Sequence, residues 1–488
     1  MSLFSLNLTS LVIFDQSSIK EDTIVQEEKQ VPLTSDYTVV APINISSPSD
    51  WELYPFITGN GTNNNPYIIE NVEIQGNGAK TIENSGQNYL NYSDIGININ
   101  ATGNFTIRYC RISSISLGIY LGLGCSIDYT HSIQGVEIDS CGIGIYVLGF
   151  GGGGFITVNI SKCDISNCHW VTVKVPEDLE YPYYGGFGMW VKGDVGSYIE
   201  FCNIQNCSIG LLAGPAVSII NNQLINCGFL FIFQYIFSYY EIINNTVNGK
   251  PVGLFLNEDS ITLSGLEASQ YGQLIFVLCD NIHLSNLQIK ESCSFGLILH
   301  YCNNPVLQNI LCENQQIGFL IYANNMTADN LQARNCIAGF CFLRLRNSLL
   351  TQLSIENTDI PVYAYELMNC SIEIENSTRI YLIGIPLVGI SEIQINSSSS
   401  SIMVPRSNIT EFDIEGFIIQ LDEIDTYHIT GFDEIIHAMT IDFIIVIFKP
   451  SKASKVIPGY PLIWVYTAIL LGISFFVFSM RSKKLINS

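Results

Sequence analysis

Between Gly253 and Cys341 the apolar positions return in one phrase, a glycine followed by an apolar, a variable and an apolar residue. It reads Gly253-Leu-Phe-Leu, Gly296-Leu-Ile-Leu, Gly318-Phe-Leu-Ile and Gly339-Phe-Cys-Phe. The last three glycines stand 22 and 21 residues apart, and the 43 residues between Gly253 and Gly296 hold a degenerate copy at Gln273-Leu-Ile-Phe. The same ruler finds Gly96-Ile-Asn-Ile, Gly118-Ile-Tyr-Leu, Gly144-Ile-Tyr-Val, Gly188-Met-Trp-Val and Gly210-Leu-Leu-Ala, with one jump of 44 after Gly144. Apolar residues first and third after the glycine, with a variable residue between them, are strand alternation, two side chains in and one out. A second short strand precedes the phrase, as in Ile107-Arg-Tyr-Cys-Arg-Ile112, Ile199-Glu-Phe-Cys-Asn-Ile204, Ile282-His-Leu-Ser-Asn-Leu287 and Val306-Leu-Gln-Asn-Ile310. The bend there carries Asn203, Asn286, Asn309 or Asn330, and asparagine is the non-glycine residue that best tolerates a left-handed backbone.

Short strands, turns and no helical period in every 22 residues predict an all-β fold. Its architecture is a right-handed parallel β-helix of a dozen or more rungs over 51–395. One rung cannot bury its own apolar side chains, so such an array is stable only when stacked. The 44-residue jump reads as one rung with lateral insertions, the Gly149–Gly154 tract and a loop or hairpin at 169–186 leaning on the outer wall.

The flanks read differently. Residues 1–14 are apolar without Lys or Arg, the hydrophobic part of a secretory signal lacking its basic start. Residues 15–50 suit a linker or N-terminal cap. Ser397 to Ser401 within 396–401 read as a polar hinge, and 402–455 as a small β module or stalk. Pro461 to Met480 is 20 residues without a charge, long enough at about 1.5 Å per residue to cross a hydrocarbon core of about 30 Å. The basic tail 481–488 follows, so the positive-inside rule places the C-terminus in the cytoplasm and the column outside the cell membrane.

Trp51 to Ile74 carries the string Gly59-Asn-Gly61-Thr62-Asn-Asn-Asn-Pro66-Tyr67-Ile68-Ile69-Glu70. Followed by regular rungs, it resembles the opening of the NosD-like family of right-handed parallel β-helix proteins, the carbohydrate-binding and sugar-hydrolysis (CASH) type of domain. The resemblance covers about residues 50–390. It implies a carbohydrate-related role and, through the copper handling tied to the NosD name, a metallochaperone alternative. Pro458-Gly459-Tyr460, the span and the basic tail together resemble the C-terminal sorting tails of archaeal surface proteins. Those carry Pro-Gly-Phe, so Tyr460 departs from the pattern and a plain anchor is the default.

Charge and cysteine narrow the chemistry. Twenty-one Lys plus Arg against 44 Asp plus Glu leave a net charge of −23, which excludes a nucleic-acid partner that needs a basic surface. Many of the 15 cysteines fall in register. Cys141, Cys207, Cys293 and Cys336 stand three before the phrase glycine, and Cys110, Cys163 and Cys202 two before an inward Ile. Stacked about 4.8 Å apart, they would form inter-rung disulfides or an interior ladder of thiols, and the ladder is favoured. The six histidines, His131, His169, His283, His300, His428 and His437, are scattered, as are the seven methionines, so no metal site and no cofactor is predicted.

A lyase or glycosidase on this fold needs carboxylates converging from adjacent rungs, or several of them around calcium. The candidates are Asp139, Asp164, Glu258 and Asp259, with Asp139 and Asp164 in different columns. The stronger ligand-binding candidates are aromatic. Tyr120, Tyr146, Trp190 and Phe255 hold the outward position of the phrase, and the insertion adds Trp170, Tyr181, Tyr183 and Tyr184. Such rings either present flat apolar faces to sugars or stack on one another beneath the insertion. Asn-x-Ser/Thr sequons at Asn44, Asn60, Asn91, Asn100, Asn104, Asn159, Asn396 and Asn408 suit an extracellular glycoprotein. The sequence thus points to an anchored, non-enzymatic surface rod that binds glycans or neighbouring surface proteins. A polysaccharide lyase or hydrolase is its rival.

Overall fold

In a parallel β-helix each residue of a rung sits over its counterpart in the next, so the apolar alternation becomes columns of like side chains. One rung shows the plan: Phe105–Arg108, a corner at Tyr109, Arg111–Ser113, a corner at Ser114, then Leu117–Leu121. The corners are left-handed, with φ of 52° and 56°. The next rung repeats it with Thr130–Gln134, Glu137–Asp139 and Ile143–Val147, each parallel to its counterpart. The result is a right-handed solenoid with three faces in its first half.

The computed structural model describes residues 37–403 and 417–421, apart from 79–80, 85–89, 93, 123–124, 126–128, 148–155, 175–179, 192–195, 215–216, 232–240, 291–293, 359, 365–366, 376–378, 383–390 and 397–400. The segment 1–14, the span 461–480 and the tail 481–488 lie outside the described residues. Among the described residues no helix is long and apolar enough to cross a membrane.

The glycine phrase has a steric cause. A Cβ built on Gly96, Gly118, Gly144 or Gly188 would meet the carbonyl oxygen of the next rung's glycine at 2.7, 2.5, 2.4 and 2.6 Å. Only glycine lets the rungs close at this point, and φ is not the reason. Asparagine holds most corners of the second half, with Asn286, Asn309 and Asn330 at φ 57°, 54° and 54°. There the side chains also form ladders. Asn309 donates to Asn286 at 3.1 Å and Asn330 to Asn309 at 3.0 Å. Asn203 departs from the expectation. It lies inside the strand Asn203–Gln205, and the corners are Phe201 (φ 54°) and Asn206 (φ 51°).

Several boundaries move. Thr38–Val39 pairs with Val72–Glu73 and Ile43–Ile45 with Ile97–Ile99, so the column starts ahead of Trp51, inside the stretch read as a linker or cap. Trp51, buried, stacks on Tyr67 at 4.2 Å. At the other end Ser401–Met403 pairs with Arg379–Tyr381, and Phe417–Leu421 with Ser391–Ile395. These strands continue the column, while the rest of the segments read as a hinge and a small module, 397–400, 404–416 and 422–455, lies outside the described residues. The insertion forms an antiparallel hairpin, Trp170–Lys174 with Glu180–Gly185. It joins Thr81–Asn84 and Leu90–Tyr92 in a four-stranded sheet.

One event divides the column. At Asn248 (φ 51°) and Gly249 (φ 77°) the chain turns back, and Thr246–Val247 pairs antiparallel with Lys250–Pro251. Asn-Gly supplies the two left-handed residues that a tight hairpin turn requires. Beyond it the register of the phrase slips by one. Gly253 faces Leu274, while Leu274 faces Leu297, the residue after Gly296. The second half then docks onto the first. The Gln273 side chain accepts from Phe229 N at 2.8 Å and donates to Phe229 O at 2.9 Å, and Ser294 Oγ accepts from Gly228 N at 3.0 Å. The outward row of the second half, Ile275, Ile298, Leu320 and Cys341, is buried in the same apolar cluster as the first half's core.

Candidate functional site

The predicted aromatic wall exists as a register, but of its rings Tyr146 and Trp190 are buried and Tyr120 is half-buried. Tyr120, Tyr146 and Trp190 face one another on successive rungs, followed by Leu212 and Leu230. Tyr120 and Tyr146 lie 5.6 Å apart, and Tyr146 stacks on Trp190 at 4.6 Å. Trp190 is 2% exposed and Tyr146 9%, and both belong to the apolar core cluster. A ring that has already traded water for neighbours has no face left for a sugar, which corrects the reading of these two as ligand contacts. Phe255 is a second correction. The one-residue slip turns it inward, in register with Phe276, on which it stacks at 4.8 Å. Trp170, Tyr181, Tyr183 and Tyr184 lie in the lateral hairpin, where Tyr181 faces Val173 and Tyr184 faces Val171. Their side chains are outside the described residues.

The carboxylate candidates do not converge on one reaction centre. Asp139 accepts from Ser140 Oγ at 2.8 Å, Ser166 Oγ at 2.6 Å and Asn167 Nδ2 at 2.7 Å. Asp164 sits one rung on, opposite Glu137, which itself pairs with Arg111 at 3.0 Å. Asp259 ends an amide ladder. Asn281 donates to it at 2.7 Å, Asn304 to Asn281 at 3.2 Å and Asn325 to Asn304 at 3.1 Å. Each amide donates to the rung before it, so the first rung needs only an acceptor, and a carboxylate supplies one. The bonds from Asn281 and Ser260 hold Asp259 below the usual carboxylate range, whereas desolvation pushes the neighbouring Glu258 above it. Asp280 ends a parallel ladder, accepting from Asn303 at 2.7 Å. Asp259, held ionised by its donors, serves structure and makes a poor general acid.

The thiols are interior. Among the described residues fourteen cysteines are buried thiols outside any disulfide. Most of their Sγ–H groups donate to backbone carbonyls, as from Cys227 to Ile204 O at 3.4 Å and Cys370 to Leu345 O at 3.2 Å. Burial pushes Cys110, Cys125, Cys302 and Cys341 up to about 12. Such groups are neither thiolate ligands nor nucleophiles at neutral pH. Among the described residues no group of three or more His, Cys, Asp or Glu could hold a metal ion. Asn104, expected as a glycan acceptor, is 4% exposed and donates to Gly61 O, so its amide is closed to modification in the folded chain.

A different cluster does gather, one that neither the phrase nor the carboxylate search singled out. His300, Tyr322 and Arg344 occupy one row on three consecutive rungs. Tyr301 and Tyr322 lie 3.9 Å apart between ring centroids, and Arg344 Nη1 donates to the Tyr322 hydroxyl at 2.7 Å with its guanidinium 5.5 Å from the ring centroid. Tyr301 and Arg344 are half-buried, while His300 and Tyr322 are 5% and 6% exposed. Arg346, two residues on, points to the same side, because Leu345 between them is fully buried. It extends the neighbouring row of Asp280, Asn303 and Asn324. The signal was present as a 22-residue interval from His300 to Tyr322 to Arg344, one that only the register turns into a contact.

Electrostatics decide what this cluster can do. Burial, with a hydrogen bond to Tyr301, pushes Tyr322 up to about 12 against the opposing pull of Arg344. Burial depresses His300 to about 3. At neutral pH the phenol keeps its proton and the imidazole is neutral and very weakly basic, so neither is tuned to abstract a proton. What the cluster offers is a guanidinium held by Tyr322, beside the half-buried ring of Tyr301 and the amide ladders. That is a binding chemistry.

Comparison with known proteins bears on the fold. Residues 95–266 match the family model described as right handed beta helix region. No curated protein matches the chain. Among solved structures, the chain is similar to a mannuronic acid specific family 6 polysaccharide lyase from human gut microbiota. The identity is 10% over 78% of this chain and 91% of the other, with a TM-score of 0.21, too low to carry an argument about chemistry.

Proposed function

We propose that this protein is a non-enzymatic β-helix rod, held at the cell membrane by its C-terminal apolar segment, that binds carbohydrate on the lateral wall of its second half. The observation that carries this reading is the Tyr301–Tyr322–Arg344 cluster beside the Asn303–Asn324 ladder. The half-buried ring of Tyr301 and the amides beside it match the apolar face and hydroxyl edge of a sugar. Supporting the non-enzymatic half, Asp139 and Asp259 are engaged by ladder donors, and the only imidazole in the cluster is depressed by burial. A glycan array probed with the intact chain in detergent tests this reading. Retention of at least one class of oligosaccharide is expected, and silence across the array refutes it. Release of shortened or unsaturated products from a bound polysaccharide would replace it with the lyase or hydrolase reading.

A further inference from the structure

We infer that the ligand is an uncharged, extended polysaccharide that lies along the column axis, one sugar to a rung, on the amide ladder of Asn281, Asn304, Asn325, Asn347 and Asn369. This deepens the carbohydrate-binding reading and rests on it, since Asn304 and Asn325 directly follow the Asn303–Asn324 pair in the chain. Each amide donates to the one on the rung before it, at 3.2, 3.1, 3.4 and 3.1 Å from Asn304 to Asn369. All five backbones are left-handed, with φ between 48° and 53°, so the amides repeat in one setting. The corner by itself does not ask for asparagine. Tyr109, Ser114, Ser140, Lys162 and Phe201 close corners of the first half at φ of 52° to 56°.

A ladder amide has hydrogen-bonding capacity to spare. Its side chain carries two N–H donors and a carbonyl with two lone pairs, and the ladder uses one of each. At exposed Asn304, Asn325 and Asn347 the second donor and the second lone pair meet no partner among the described residues. A sugar hydroxyl both donates and accepts, so each rung can satisfy one hydroxyl in full. Two residues beyond each asparagine runs an outward row, with His283, Val306, Thr327, Leu349 and Ser371 in register. Leu349 is 49% exposed and Val306 half-buried, so apolar surface lies beside the amides. A pyranose presents the same pair, an apolar C–H face and a hydroxyl edge. Rungs stack about 4.8 Å apart, close to the advance of one pyranose in a chain kept extended by equatorial β-1,4 linkages. Such a polymer meets an amide at every sugar over the four steps from Asn281 to Asn369, about 19 Å. Neither row, from Asn281 to Asn369 and from His283 to Ser371, holds an Asp, Glu, Lys or Arg. The ladder ends on the Asp259 carboxylate at 2.7 Å, and the chain has a net charge of −23. A polyanion would meet that field with no cation in either row to offset it, whereas an uncharged chain is indifferent to it.

The test is calorimetric titration of the intact chain in detergent with cello-, chito- and manno-oligosaccharides from dimer to hexamer. Malto-oligosaccharides, whose α-1,4 linkage curls the chain, and polyuronate oligomers are titrated beside them. At least one β-1,4 series is expected to bind, tightening with each added sugar up to the pentamer and then levelling, with no dependence on salt. Malto-oligosaccharides should gain nothing from length. Asn325→Gly keeps the left-handed corner and removes the amide, and should weaken hexamer binding about 3- to 10-fold, the range of one or two hydrogen bonds. Leu349→Ser should weaken it as well. Asn335→Gly is the control, because Asn335 pairs with Asn357 in a separate ladder on another corner, and it should leave affinity unchanged. Melting of each variant separates lost binding from lost fold. A dimer as tight as the hexamer, equal affinity of wild type and Asn325→Gly, or equal weakening by Asn335→Gly overturns the ladder as the binding track. An equal gain with length from the curled chains, or binding of polyuronates alone, overturns the ligand class. In each of these cases the carbohydrate reading survives. Binding of none of the oligosaccharides overturns the inference, and the reading beneath it falls only if the glycan array is silent as well.

Discussion

Replacing Gly144 by alanine isolates the reason for the repeated glycine. The added Cβ would stand 2.4 Å from the carbonyl oxygen of Gly188 and 2.9 Å from Ile165 Cγ2, where real Cβ atoms essentially never approach within 3.0 Å. The oxygen is backbone in a hydrogen-bonded rung, so it cannot rotate away. The two rungs must part by about 0.6 Å, or the strand must tilt. Overpacking of this kind costs roughly 1–3 kcal/mol, and the stiffer unfolded chain returns about 0.4–1 kcal/mol. A net loss of about 1–2 kcal/mol follows, which is roughly a 5- to 30-fold change in the opening equilibrium. Repeat arrays open locally, so the measurement is native-state hydrogen exchange over Ile143–Val147 and Phe187–Val191. Gly249→Ala is the contrast. Nothing lies within 4 Å of its Cβ but φ is 77°, so its effect should come from left-handed strain and stay near the turn. Unchanged or increased protection of the Ile143 and Phe187 strands in Gly144→Ala would refute the close-contact explanation.

Three further outcomes follow from the same geometry. Trp190→Ala, at 2% exposure, should lower stability by about 3–5 kcal/mol as a buried aromatic truncation while leaving oligosaccharide affinity unchanged. A loss of affinity without a loss of stability would restore the exposed-wall reading. In a Cys293→Ser background the native chain should not react with a thiol reagent at pH 8, since the described cysteines are buried and four of them are pushed up to about 12. Rapid labelling would contradict the ladder. His300 is depressed from 6.5 to about 3, so below pH 6.5 the unfolded chain binds a proton that the folded chain refuses. Stability should fall as pH drops from about 6.5 towards 3. His300→Phe should reduce that acid sensitivity, and an identical pH profile in urea melts would show that His300 titrates freely.

The sequence by itself determined the rung. Glycine spacing, apolar alternation and asparagine corners are local demands, each met within some 22 residues, so Gly144 and Asn309 could be read without knowing their neighbours. The cysteine ladder was legible for the same reason, because a column repeats the interval of the rung. Exposure was not. Tyr146 and Trp190 occupy an outward position in their own rung, and what covers an outward residue comes from elsewhere in the chain. Phe255 shows how little it takes to mislead. The Asn248-Gly249 reversal shifts the phrase by one residue, and strand geometry converts that single step into a change of face. Arg344, Tyr322 and Tyr301 likewise became neighbours only through register. A side chain's direction is a property of its strand, whereas its surroundings belong to the strands stacked and docked against it, and only the tertiary structure assigns those.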